Sequence, residues 1–284
     1  MPPAPPTHPS APAESPLLWP ATPSPTCRRF FAMYLRRLLG KSFFAVRLAP
    51  GTREALAAIE LDVRPAIVLI NHASWWDPLV GLWLGAQLTP TRPVLGPMEL
   101  AQLKKFAIFR KLGIFGINPD QPGSLAAMTD YLRYVFATAP RTAFWVTPQG
   151  QFADVRDPIR IRPGAAAAAA RLGDVVVATV AVEYVFWTDQ RPEVLVRAVS
   201  VQTPPTEAGI STASWTRAMQ LAMQANADAL ATLSRSRDTN AFETYSGGGR
   251  AKVHPVFDLW MRLRGRDPAL VAANRGMSAR SPKR

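Results

Sequence analysis

"PAIVLINHASWWDPLVG", residues 65–81, decides the fold. Ala66–Ile70 form an apolar run of strand length with no polar interruption, as in a strand buried on both faces. Four residues separate His72 from Asp77, and Pro78 suits the first turn of a helix. Strand, tight turn and helix make the unit of an α/β sheet. Two readings of the histidine stand beside each other. In one, Asp77 caps the helix and His72 fills a gap. In the other, the bend brings the carboxylate against the imidazole, fixes its tautomer and leaves the second ring nitrogen free to take a proton.

The same rhythm continues in both directions. A helix fits "TREALAAIELD" with Thr52 as cap, followed by the strand at 66–70 and the helix from Asp77. Then come a strand "RPVLG", a helix over 98–112, a strand "LGIFGIN", a helix over 124–138 capped by Ser124 and a strand "TAFWVTP". A helix between Pro163 and Gly173, the strands "VVVATVAVEYVFW" and "EVLVRAVSVQ", and a long helix capped by Ser214 complete the series. The fold class expected is α/β, a mixed, mostly parallel sheet covered by helices, with an amphipathic N-terminal helical segment.

Charge divides the chain. Residues 28–49 hold six basic side chains and no acidic one, and residues 250–284 hold nine basic and two acidic. Residues 50–249 are nearly neutral, with eighteen basic and seventeen acidic side chains. Four segments are therefore expected: a disordered Pro-rich tail at 1–27, a basic amphipathic membrane-association segment at 28–49, the main domain at 50–245 and a basic C-terminal flank at 246–284. In the 28–49 segment Phe31, Leu35, Leu38 and Leu39 share a helical stripe among arginines. Such a stripe suits a helix in an anionic bilayer interface, or a core helix whose arginines snorkel outward. So many large apolar groups point away from nucleic acid as a partner. "HPVFDLWMRLRGR", at 254–266, is a candidate second interfacial helix.

Other classes are set aside on composition. No apolar run approaches the about 20 residues needed to span a bilayer, and no secretory signal opens the chain. The expected location is the cytoplasmic face of the cell membrane, peripheral or monotopic. Cys27 is the one cysteine, so no internal disulfide forms. No ligand spacing surrounds His8, His72 or His254, and no metal is expected.

A second stretch, "FWVTPQGQFADVRDPIRIRPGAA" at 144–166, runs from a strand through a Pro-Gly turn to a helix start. Backbone N–H groups near Gly150 are candidates for receiving an oxyanion, and Arg160 and Arg162 for holding phosphate. Ordinary turn and exposed-charge readings stand beside these.

Taken in order, the motifs resemble the glycerolipid and lysophospholipid acyltransferase family that includes bacterial 1-acylglycerol-3-phosphate acyltransferase. Its first block, Asn-His, four residues and Asp, corresponds to Asn71, His72 and Asp77. "GIFGINP" at 113–119, "VTPQGQF" at 146–152 and "VATVAVEY" at 177–184 resemble the second, third and fourth. The resemblance implies transfer of a fatty acyl group to a lipid hydroxyl, with His72 as general base oriented by Asp77. It also implies acyl-CoA or acyl carrier protein as donor, with no other cofactor. The substrate-binding candidates are Asn71, Asn118, Pro148, Gln149, Gly150, Arg160 and Arg162; the partners are donor and membrane lipid surface.

Departures bear on the acceptor. Pro119 stands where the family usually has Arg, Gln149 replaces Glu, Phe152 falls where Arg is common, and Thr179 occupies a proline position. Each lost guanidinium removes a charge-assisted phosphate contact of about 1.5–3 kcal/mol. A neutral or glycosylated lipid is therefore the expected acceptor, with lysophosphatidate as the alternative. A thioesterase and a non-catalytic lipid-binding protein of the same fold are the competing readings.

Overall fold

The computed structural model of the chain describes residues 13–187, 189–202, 211–248, 260 and 263–265. The strands are β1 (Leu18–Trp19), β2 (Ala45–Leu48), β3 (Ala66–Ile70), β4 (Val94–Glu99), β5 (Ile114–Ile117), β6 (Ala143–Val146), β7 (Val176–Val185), β8 (Glu193–Ser200) and β9 (Glu243–Gly247). The helices are α1 (Pro25–Ser42), α2 (Thr52–Leu61), α3 (Asp77–Leu88), α4 (Leu100–Lys105), α5 (Ser124–Thr138), α6 (Gly164–Leu172) and α7 (Thr212–Ser236). One sheet runs in the order β1-β5-β4-β6-β3-β7-β8-β2-β9. The pairs β5-β4, β4-β6, β6-β3, β3-β7 and β8-β2 are parallel; β1-β5, β7-β8 and β2-β9 are antiparallel.

β3 lies in the parallel heart of this sheet, which explains its unbroken apolar run. Ile67 and Leu69 face a core built with Met128, Leu132 and Phe136 of α5, the alanines of α6 and Trp215, Met219 and Met223 of α7. Ala66, Val68 and Ile70 face the opposite core, with Leu35 and Leu39 of α1, Leu56 and Ile59 of α2 and Val80, Trp83 and Leu84 of α3. Period-two alternation thus buries both faces. The alanine run is more than helix-forming sequence. Ala165–Ala169 are all buried, and small side chains let α6 approach the sheet closely.

Several expectations need correction. The Pro-rich tail was expected to be disordered through residue 27, but from Ser15 the chain belongs to the fold. Ser15 Oγ accepts from the amides of Leu17 and Leu18, β1 pairs with β5, and the Ala21 amide donates to Tyr131 Oη at 3.0 Å. Arg110 stacks over Trp19 and donates to the Pro20 carbonyl. Proline fixes an extended backbone there, and distant partners satisfy its polar groups.

The 28–49 segment is likewise two things. α1 buries Leu35 and Leu39, with Phe31 and Leu38 against the same core, and β2 is a buried strand. The stripe expected at a membrane is therefore core. The boundary of the C-terminal flank, expected at 246, does not fall there, because Ser246 and Gly247 pair with β2. His8, His254 and most of the candidate C-terminal helix lie outside the described residues.

Helix starts also shift. Gly51 rather than Thr52 precedes α2, and the buried Thr52 hydroxyl accepts from the Ala198 amide of β8. Gly123 precedes α5, while Ser211, not Ser214, caps α7 in a capping box the two serines share. The single helix expected over 98–112 divides into α4 and a 3₁₀ segment at Ala107–Leu112. Among the described residues no helix is long and apolar enough to cross a membrane.

Candidate active site

The carboxyl ends of parallel strands in an open α/β sheet are where ligands bind, because loops diverge there and leave a crevice. β3, β6 and β7 point their carboxyl ends toward that margin, with β7 running on past the end of β3. Each contributes to one cluster around His72.

The loop 71–76 folds back tightly. The Asp77 amide donates to the Ser74 carbonyl at 3.1 Å, and the Ser74 amide donates to Asp77 Oδ2 at 2.7 Å. Asp77 opens α3 but does not cap it. Its carboxylate turns away from the helix amides toward the histidine, with Oδ2 3.1 Å from His72 Nδ1. A carboxylate only accepts, so Nδ1 is the donor of this pair, and in the neutral ring Nε2 is the nitrogen left to take a proton. Asp77 is fully buried, while the His72 side chain keeps 16 % of its surface. This is the arrangement a general base needs: one nitrogen held by a buried acceptor, the other within reach of solvent.

The loop after β6 grips the histidine backbone. Gln149 Oε1 accepts from the His72 amide at 2.7 Å, and the Ala153 amide donates to the His72 carbonyl at 2.9 Å. Between these contacts Phe152 lays its ring 4.4 Å from the imidazole, centroid to centroid, while remaining 62 % exposed. Trp75 is another exposed aromatic on the β3 loop. Phe152 therefore sets an apolar ring beside the imidazole.

β7 supplies two ties. Asn71 donates to the Val182 carbonyl at 3.0 Å and accepts from the Val182 amide at 2.7 Å, so its side-chain amide staples β3 to β7. Tyr184 Oη donates to Asp77 Oδ1 at 2.6 Å. Burial, then the charge of Asp77, pushes the Tyr184 phenol far above its ordinary range and keeps it a donor.

The remaining candidates divide. Pro148 is buried, and its carbonyl accepts from the Arg162 amide at 2.8 Å. Gly150 takes φ +69°, and a Cβ there would fall 2.7 Å from Arg162 Nε, so Arg162 lies against the turn. The Gly150 amide donates to the Thr147 carbonyl at 3.1 Å, closing the turn, which removes it as a ready oxyanion donor. Arg162 pairs with Asp120 at 3.1 Å, and Arg160 is exposed. Asn118 is tied elsewhere: its amide donates to Leu17, and its carbonyl accepts from Ser124 and Gln121. Sequence reasoning did not single out Tyr184. The available signal was a hydroxyl-bearing ring at the carboxyl end of an apolar parallel strand. Among the described residues no group of three or more His, Cys, Asp or Glu could hold a metal ion.

Residues 53–183 match the family model described as Acyltransferase. The match takes in His72, Asp77 and Gln149 and stops one residue short of Tyr184. A search among curated proteins finds no match.

Proposed function

We propose, from the acyltransferase-family domain that this chain carries at residues 53–183, that it moves a fatty acyl group from a thioester donor to a lipid hydroxyl with His72 as general base. The observation that carries this reading is the His72–Asp77 pair, held from the Nδ1 side and open on the other. Nε2 takes the proton of the acceptor hydroxyl as its oxygen attacks the thioester carbon. Asp77 stabilises the imidazolium that forms. Collapse of the tetrahedral intermediate breaks the C–S bond, and the same proton passes to the departing thiolate. Ester and free thiol are the products, and no acyl-enzyme intervenes. Acyl-CoA and acyl carrier protein are both candidate donors.

The acceptor is a neutral lipid hydroxyl. Phe152 supports this, because the face of His72 that a guanidinium would make anion-binding meets an apolar ring instead. One observation favours the phosphate-bearing alternative: Arg162 lies against the Gly150 turn. Phe152→Arg separates the two. With an apolar acceptor site, the substitution lowers kcat/KM for the native acceptor roughly tenfold and raises that for a lysophosphatidate probe. An arginine that leaves both values unchanged rules Phe152 out of acceptor selection.

The test of the function itself is transfer from labelled acyl-CoA, then from labelled acyl carrier protein, into a total lipid extract. Wild type is expected to make a labelled lipid that His72→Ala does not. Release of free fatty acid alone would assign a thioesterase. Silence with both donors would assign lipid binding without catalysis.

A lipid acceptor has to be reached at a membrane surface. Phe30, Met33 and Tyr34 lie along the outer face of α1, and Phe106 and Ile108 follow α4; each is more than half exposed. Ring contacts from Tyr34 through Phe31 and Phe109 to Phe106, at 5.7, 6.2 and 6.0 Å, join the two segments into one patch. Arg29, Arg36, Arg37, Lys104 and Lys105 are exposed on the same segments. Apolar insertion and attraction to anionic headgroups add at such a surface. Phe30→Asp with Phe106→Asp is expected to weaken sedimentation with anionic vesicles by about tenfold or more, each buried ring contributing about 1–2 kcal/mol. Unchanged partitioning would move the docking surface elsewhere.

A further inference from the structure

We infer that Tyr184 is a positioning residue of the same site, a second donor that holds Asp77 in place and sets the pH range over which His72 can accept a proton. This rests on the reading of His72 as a base.

The geometry leaves Asp77 one way to face. Oδ2 is shared by the Ser74 amide and His72 Nδ1, while Oδ1 takes the Tyr184 hydroxyl. The carboxylate is completely buried, so an unpaired oxygen would carry a large desolvation cost; the phenol removes it. Tyr184 is itself fixed. Phe43 stacks on its ring at 5.7 Å, and Trp76 meets Phe43 edge-on at 4.9 Å. This aromatic clamp draws on the end of α1, the β3 loop and β7. Among the described residues, the groups that act on Tyr184 and Asp77 with charge or a titrating proton are each other and His72, while Phe43, Trp76 and the paired Val194 of β8 carry neither.

A donor to the carboxylate stabilises the unprotonated dyad, so its loss makes protonation easier. Tyr184→Phe keeps the ring and deletes the hydroxyl. The acidic limb of the kcat/KM profile is expected to move up by about one pH unit, with the plateau falling about tenfold. A packing role alone would change stability and leave the limb where it is.

The same shift is readable without turnover. The imidazole signal of His72 is followed by NMR against pH and assigned by its absence in His72→Ala. In Tyr184→Phe its midpoint is expected about one unit above that of wild type. A third protein, with 3-fluorotyrosine at position 184, has the wild-type shape and a stronger donor; its midpoint is expected below that of wild type. The inference is overturned if the Tyr184→Phe midpoint equals that of wild type in folded protein, or if the fluorinated protein shifts upward. Should Tyr184→Phe not fold, the fluorinated protein decides. Because NMR reads the dyad directly, failure of the acyl-transfer reading and failure of this one are told apart.

Discussion

His72→Ala is expected to lower acyl transfer by about 10²–10⁴-fold, the usual contribution of a positioned general base. The substitution removes the imidazole whose Nδ1 is held by Asp77 and whose Nε2 makes no hydrogen bond among the described residues. What remains is well satisfied: Asp77 keeps the Ser74 amide and the Tyr184 hydroxyl, and the backbone ties from Gln149 and Ala153 do not involve the imidazole. Thermal unfolding should therefore shift little, so the loss reads as chemistry. Steady-state kcat/KM beside a melting curve checks both halves. A variant that keeps more than a tenth of wild-type activity would remove His72 from the reaction.

Gly113→Ala is expected to give the largest loss of stability of any single methyl added to the fold. Gly113 has φ +101° where the 3₁₀ segment turns into β5, and a Cβ there would lie 2.0 Å from the Val94 carbonyl oxygen. That oxygen belongs to the backbone of β4, so no side chain can rotate away. Left-handed strain contributes about 1–3 kcal/mol, and displacement of β4 from β5 adds to it. A loss of about 3 kcal/mol or more is expected, lowering Tm by roughly 6–12 °C. Gly40→Ala is the matched control. A methyl there meets nothing within 4 Å, and the α1 interior gains up to about 1 kcal/mol. If both variants melt alike, the close approach of β4 and β5 is not what requires glycine at 113.

Where local chemistry dominates, the sequence was a good guide. The Ala66–Ile70 run admits little besides a strand buried on both faces, and Asp77-Pro78 had to open a helix. Their spacing put His72 and Asp77 within reach of each other. What was not legible depended on partners far along the chain. Nothing local in "PLLWPAT" says that Leu18 and Trp19 would find β5 about a hundred residues later. Gln149 and Phe152 were noticed as departures from a family pattern, but not as the grip and cover of His72. The α1 stripe has the same periodicity whether it meets lipid or a core, and only the tertiary structure chose the core. Asn71, read as a substrate contact, joins two strands because an amide offers both donor and acceptor to one backbone unit.

The two ends of the sheet carry a consequence of their own. A long strand left open at a margin is a template on which another chain can polymerise. Here the parallel interior is closed on one side by the two residues of β1 and on the other by β9, both antiparallel and both drawn from outside the central motif-bearing segment. Pro16 and Pro20 flank β1 and have no N–H to offer, so little of a ladder remains for a neighbour to extend. The flanks are thus guards against intermolecular strand exchange. A shortened chain that begins at Arg28 would keep every residue of the His72 cluster and still uncover the edge of β5, leaving that edge open to self-association.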